Sequence, residues 1–127
     1  MSSIFNLSSI FMPLFARWRK LSFLPKRRGR DAMPGVYELA DEDKTLIYIG
    51  QSSKDVPNRI RQHLQKSVCI KERVVYWRYS YSRMPQAEEA EQLQKYLTQQ
   101  GDLPACNRAT PLLRNRVRRY RERSGSS

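Results

Sequence analysis

The stretch from Gly35 to Gly50, GVYELADEDKTLIYIG, constrains this chain more than any other. Polar and apolar residues alternate on both sides of Asp41-Glu42-Asp43-Lys44. Alternation broken by a charged turn predicts a β-hairpin, with strands near 35–40 and 45–50. Successive side chains on a strand point to opposite faces, so Tyr37 shares a face with Leu39, and Leu46 with Tyr48. Pairing about the turn then brings Tyr37 and Tyr48 onto one surface. Strands favour tyrosine in any case, so a hairpin alone accounts for two tyrosines at a sheet rim.

The segments that follow extend the sheet and cover it. Asp55-Val56-Pro57 reads as a helix start, with Asp55 as N-cap and Pro57 in the first turn. This helix is expected to run to about Lys66. Ile60 and Leu64 form its apolar i, i+4 pair, and Arg59 and His63 form a second pair displaced about 100° around the axis. That places Arg59 and His63 on the edge of the packed face, within reach of a cleft against the sheet. Val74 to Tyr79 is a dense β-branched and aromatic run, predicted as the third strand and as core. Pro85 opens a further helix that ends at Gly101, a suitable left-handed cap, with Ala90, Leu93, Tyr96 and Leu97 as its apolar stripe. Glu88, Glu89 and Glu91 all lie early in it. Glu89 sits closest to the stripe, and Glu91 points roughly the other way. The expected fold is therefore α+β: a small, three-stranded, mostly antiparallel sheet flanked by helices.

Gly35-Val36-Tyr37 and Tyr48-Ile49-Gly50 resemble the paired signature of the GIY-YIG endonuclease family. The ordered set Arg59, His63, Glu89 and Asn107, the last after Leu103-Pro104-Ala105-Cys106, matches the positions that this family occupies downstream. The resemblance covers roughly residues 33–108. It implies a DNA endonuclease with catalytic Tyr37, Tyr48, Arg59, His63 and Asn107. It also implies one Mg²⁺ (or Mn²⁺) held by Glu89, with Glu91 in reserve. A single carboxylate plus waters suits an ion that keeps most of its hydration. Arg59 would fork onto the scissile phosphate. Tyr37 would orient or deprotonate the attacking water, the second role requiring help because a free phenol titrates near pH 10. A non-catalytic nucleic-acid-binding module that keeps the fold is the alternative.

Charge divides the 127 residues unevenly. Residues 1–30 carry +7, residues 108–127 carry +6, and the middle carries −1. An N-terminal arm (1–30), a nuclease-like domain (31–108) and an Arg-rich tail (109–127) are the expected divisions. Basic arms meet polyanions, so Arg27, Arg28, Arg30, Arg114, Arg116, Arg118 and Arg119 are candidate contacts to the DNA backbone. Such contacts add affinity without sequence reading, leaving specificity to a protein partner or an added domain. Residues 1–16 bear no charge, are too short and polar to span a bilayer, and are followed by basic residues. Their composition resembles an organelle transit peptide. The other reading packs Phe11, Leu14, Phe15 and Trp18 on the domain, and a membrane-surface anchor through residues 1–24 is the third. Pro25 to Arg30 reads as a flexible basic linker. Two cysteines, Cys69 and Cys106, with one histidine exclude a zinc finger built from this chain. They read as reduced thiols of an intracellular protein, cytoplasmic or nucleoid-associated, although spacing does not exclude a bridge.

Overall fold

A computed structural model describes residues 16–108. Phe11, Leu14, Phe15 and the tail arginines 114, 116, 118 and 119 lie outside the described residues. In chain order the elements are β1 (Arg19–Lys20), a 3₁₀ turn (Leu21–Phe23), β2 (Gly35–Ala40) and β3 (Leu46–Ser52). Then come α1 (Val56–Lys66), α2 (Val68–Arg73), β4 (Tyr76–Tyr81), α3 (Pro85–Gln100) and α4 (Ala105–Arg108).

The hairpin β2–β3 forms where alternation predicts it, with Tyr37 opposite Gly50 and Leu39 opposite Tyr48. Its turn is organised by the Asp41 carboxylate, which accepts from the Asp43 and Thr45 amides at 3.0 and 2.9 Å. Lys44 takes the left-handed conformation at φ 62°. One expectation fails here. The register shifts between Leu39 and Ala40, which pair with Tyr48 and Leu46, so Ile47 is the extra residue of a bulge. Strict alternation is lost at that point. Ile47 and Tyr48 both pack with Leu39, while Leu46 joins Val36 and Ile49 on the opposite face.

The sheet has four antiparallel strands in the order β1-β4-β2-β3, one more than expected. The additional strand comes from the basic arm. Arg19 and Lys20 pair with Trp77 and Tyr76, and the Leu21 amide donates to the Val75 carbonyl at 2.8 Å. Two residues are too few to show a period, so no pattern announces them. Side chains fix the segment: the Arg19 guanidinium lies 4.3 Å over the Trp77 ring and bonds Asp31 at 3.2 Å, and Leu24 is buried. The third expected strand begins at Tyr76, two residues late, because Val74 caps α2.

Two layers of helices cover the two faces. Tyr37, Leu39, Ile47, Tyr48 and Trp77 pack against Val56 and Ile60 of α1 and Ile70 of α2. Val36 and Ile49 pack against Leu93 of α3, flanked by Tyr96 and Leu103. On this second face Glu38 stands directly across from Arg78, and the two form a buried pair at 2.7 Å. Burial raises the Glu38 carboxyl pKa, and the Arg78 charge opposes the rise. Trp18 stacks on the Arg78 guanidinium at 3.8 Å and the Ala16 carbonyl accepts from it at 3.4 Å.

Helix ends follow the sequence closely. The Asp55 carboxylate caps α1 by accepting from the Asn58 amide at 3.0 Å. Gly101 closes α3 at φ 83°, in the left-handed region. Helix α1 ends at Lys66 as expected, and α2, which the sequence reading leaves unassigned, is capped by Ser67, whose hydroxyl accepts from the Ile70 amide. The turn at Ser67 also carries Cys69 to Cys106, and the two form a disulfide joining α2 to α4. The expectation of reduced thiols is corrected: the partners are 37 residues apart, and only tertiary packing brings them together. Among the described residues, no helix is long and apolar enough to cross a membrane.

Candidate active site

β3 is an edge strand, and the candidate site gathers along its outer side, where the two helix layers meet. The Tyr37 and Tyr48 rings lie 6.1 Å apart on the α1 face. Tyr37 is wholly buried. Its ring runs outward across β3 at Gly50, its partner in the register. A Cβ on Gly50 would lie 2.5 Å from the Tyr37 hydroxyl oxygen and 2.7 Å from Cε2 of Tyr48. Gly50 is therefore the opening through which the phenol reaches the edge. Gly35 has a different task. A Cβ there would meet the Ser80 carbonyl oxygen at 2.3 Å, so its absence lets β4 approach β2.

Helix α1 supplies the nitrogen groups. The His63 ring sits 4.9 Å from the Tyr48 ring, with Nε2 3.4 Å from the Tyr48 hydroxyl. Burial, then the cations Arg59 and Lys66, lower its pKa to about 4. The neutral ring carries a single proton, so its Nε2 accepts from the Tyr48 hydroxyl in one tautomer and donates to it in the other. Arg59 stands one turn earlier, exposed to solvent, with its guanidinium donating to Gln62 at 3.1 Å.

Glu89 comes from the other layer. It lies on the inward stripe of α3 with Pro85 and Leu93 and is only 7% exposed. Glu91 turns outward, 60% exposed, and pairs with Lys95 at 3.2 Å. Glu88 is half-buried in the first turn, at the positive end of the helix dipole. Position thus separates the three acids, and Glu89 is the one directed into the fold.

The charges converge on one oxygen. Burial pushes the Tyr37 phenol pKa well above 10, the neighbouring Tyr48 and Glu89 add to the rise, and Arg59 opposes it. Among the described residues no group meets full hydrogen-bond geometry to this buried hydroxyl, although the Arg59 guanidinium comes close enough to favour its ionised form. A buried phenol held neutral can donate to a water or a phosphate oxygen. It is a poor base. A buried hydroxyl within the field of a buried carboxylate fits a hydrated divalent ion, whose waters would reach the hydroxyl. Among the described residues no three His, Cys, Asp or Glu side chains cluster, so any cation there depends on one carboxylate and its own hydration.

Asn107 acts from outside the strand. Its Oδ1 accepts from the Ile49 amide and its Nδ2 donates to the Ile49 carbonyl, both at 2.9 Å. The side chain thereby supplies what a neighbouring strand would give the free edge of β3. Ile49 is the residue between Tyr48 and Gly50.

The basic loop is better placed than its sequence suggests. Arg27, Arg28 and Arg30 are exposed. The Pro25 carbonyl at the start of the loop accepts from Arg61 of α1, and Met33 beyond it accepts from the first amide of α1 at 3.1 Å. The loop is thus tied at both ends to the helix that bears Arg59. Sequence reasoning passed over Arg61, an unremarkable helix arginine by pattern. It also passed over a groove of about 300 Å³ at the start of α3, lined by Ser53, Arg83 and Met84 to Ala87, one turn before Glu89. Of the aromatic run, Trp77 is core as expected, while Tyr81 is exposed.

A family model described as the GIY-YIG catalytic domain matches residues 33–100, just over half of the chain. No curated protein and no solved structure matches it.

Proposed function

This chain belongs to the GIY-YIG catalytic domain family, and from that premise we propose that it is a Mg²⁺-dependent DNA endonuclease acting at the edge of β3. The observation that carries this reading is the buried Tyr37 hydroxyl, which feels the charges of both Glu89 and Arg59 and meets no full hydrogen-bond geometry among the described residues.

Phosphodiester hydrolysis needs a positioned water, stabilisation of charge on phosphorus and help for the leaving oxygen. Glu89 would hold the ion, which when bound polarises the phosphate and lowers the pKa of a bound water. Arg59, exposed beside the tyrosines, would form two hydrogen bonds to the scissile phosphate and bear its growing charge. Tyr37, neutral, would donate to the water or to a phosphate oxygen. Tyr48, in contact with His63, would hydrogen-bond the phosphate or the water network. Asn107 would keep Tyr48 and Gly50 in register. Arg27, Arg28 and Arg30 would grip the backbone on the α1 side, adding affinity that is independent of sequence and sensitive to salt.

Incubation with supercoiled DNA tests the reading. Nicking is expected with Mg²⁺ or Mn²⁺ and not with chelator. Arg59→Ala and Glu89→Gln are each expected to lower the rate at least ~100-fold while the far-ultraviolet dichroism is kept. Replacing Arg27, Arg28 and Arg30 together by Ala should weaken binding and flatten its salt dependence. Unchanged cutting by both site variants would refute the assignment.

The full burial of Tyr37 favours a second reading, a nucleic-acid-binding module without catalysis. Tight gel-shift binding in chelator, with no cleavage under either metal, would select it.

A further inference from the structure

We propose that the Cys69–Cys106 pair is a thiol–disulfide control site. When oxidised it holds the catalytic edge of β3 in place, and when reduced it releases that edge. The proposal rests on the nuclease reading for its effect on activity, and on geometry alone for its effect on β3.

The bond joins the two parts of the molecule that frame the site. Cys69 lies in α2, which continues directly from the helix carrying Arg59 and His63 through the single residue Ser67. Cys106 lies in α4, a helix of only four residues, next to Asn107. Asn107 holds both backbone groups of Ile49, and the flanking residues are Tyr48 and Gly50. The chain of attachment therefore runs from α1 and α2 through the bridge to Asn107 and so to the strand that carries the tyrosine.

Besides the bridge, α4 is held by the burial of Cys106, by the two Asn107 bonds to Ile49 and by the ion pair of Arg108 with Asp102, so the bridge is its one covalent tie to α2. Four residues make no independently stable helix. Its own turn bonds are those from Asn107 and Arg108 to the Pro104 carbonyl. Cys106 is buried in the cluster that contains Tyr37, Tyr48 and Ile60, and Cys69 packs at the margin of that cluster. Opening the bridge leaves two thiols where one bond had fixed the separation of α2 and α4. Their Cα atoms are held at 5.6 Å, with 37 residues of chain between them. That chain includes all of β4 and α3, so no short connection replaces the constraint.

Access is unequal. Cys106 is fully buried, while Cys69 is partly exposed. A dithiol reductant would attack Sγ of Cys69. The S–S bond breaks, Cys106 leaves as a thiolate and takes a proton, and the second thiol of the reductant displaces Cys69. One dithiol is oxidised to a cyclic disulfide, and two cysteine thiols form. Oxidised glutathione reverses the change, giving two molecules of its thiol.

The test uses the full chain, oxidised and then reduced by dithiothreitol, with thiol content counted. Hydrogen exchange at the Ile49 amide is expected to accelerate at least ~10-fold on reduction, since its acceptor is Asn107. The amides of Ile60 and Trp77 keep their protection. Mg²⁺-dependent cleavage falls on the order of 10-fold, because the catalytic groups lose their fixed separation, and oxidised glutathione restores it. The double variant Cys69→Ser, Cys106→Ser behaves as the reduced protein and does not respond to dithiothreitol. Unchanged Ile49 exchange after complete reduction would overturn the proposal. So would loss of protection at Ile60 and Trp77 together with Ile49, which would make the bridge a global staple, and so would a response of the double variant to dithiothreitol. An oxidised protein that never cuts, yet whose Ile49 exchange responds as described, upholds the control site and removes the nuclease reading instead.

Discussion

At the scale of the residue, one glycine and one histidine carry the sharpest consequences. Gly50→Ala would set a methyl group 2.5 Å from the Tyr37 hydroxyl. Both rings that it meets are packed in the core, so relief requires displacing Tyr37 or Tyr48. A loss of about 2 kcal/mol in denaturant unfolding is expected, together with loss of cleavage. His63 titrates near 6.5 in the unfolded chain and at about 4 in the folded one. The unfolded state binds the extra proton between those values, so stability is complete above pH 6.5, falls as pH drops towards 4 and is level below. The effect is about 2 kcal/mol after allowance for the partly exposed ring. Unfolding measured from pH 4 to 7 should show this slope, and His63→Gln should flatten it. The set Tyr37, Tyr48, Arg59, His63, Glu89 and Asn107 was picked out by the resemblance to the family, while the residue pattern alone showed only that their types and order are compatible. That Tyr37 crosses the strand over Gly50 was not legible, since it depends on the register between two strands.

At the scale of the element, local chemistry marked what local chemistry decides. Asp55, Pro57, Pro85 and Gly101 set the ends of α1 and α3 as read. The bulge at Ile47 left no mark, because an extra residue in an apolar run looks like one more strand residue. β1 left none because Arg19 and Lys20 are recruited by Trp77 and Asp31, both distant in sequence. The same arm covers the buried pair of Glu38 and Arg78, which lies on the face away from the tyrosines. Arg78→Ala would leave the Glu38 carboxylate buried without its cation, at a cost of about 3 kcal/mol in unfolding free energy. Replacing both partners by apolar residues is expected to recover most of that loss, which distinguishes a stranded charge from lost packing.

At the scale of the whole molecule, the net charge of +12 sits on the two ends, while the middle that builds the site is near neutral. Length and composition made a small α+β domain readable, and the family match agrees with it. The fourth strand and the disulfide lay beyond reach because both are made by contacts between segments that carry no mutual signal. In the proposed site the tyrosines and His63 come from one layer and Glu89 from the other. Its central claim is that Glu89 holds a divalent ion within reach of the Tyr37 hydroxyl. Titration with Mn²⁺, followed by paramagnetic broadening of backbone amide signals, measures this without relying on turnover. The account predicts that broadening begins at Glu89, Tyr37 and Gly50 and disappears in Glu89→Gln. Broadening centred elsewhere, or unchanged in that variant, would contradict it.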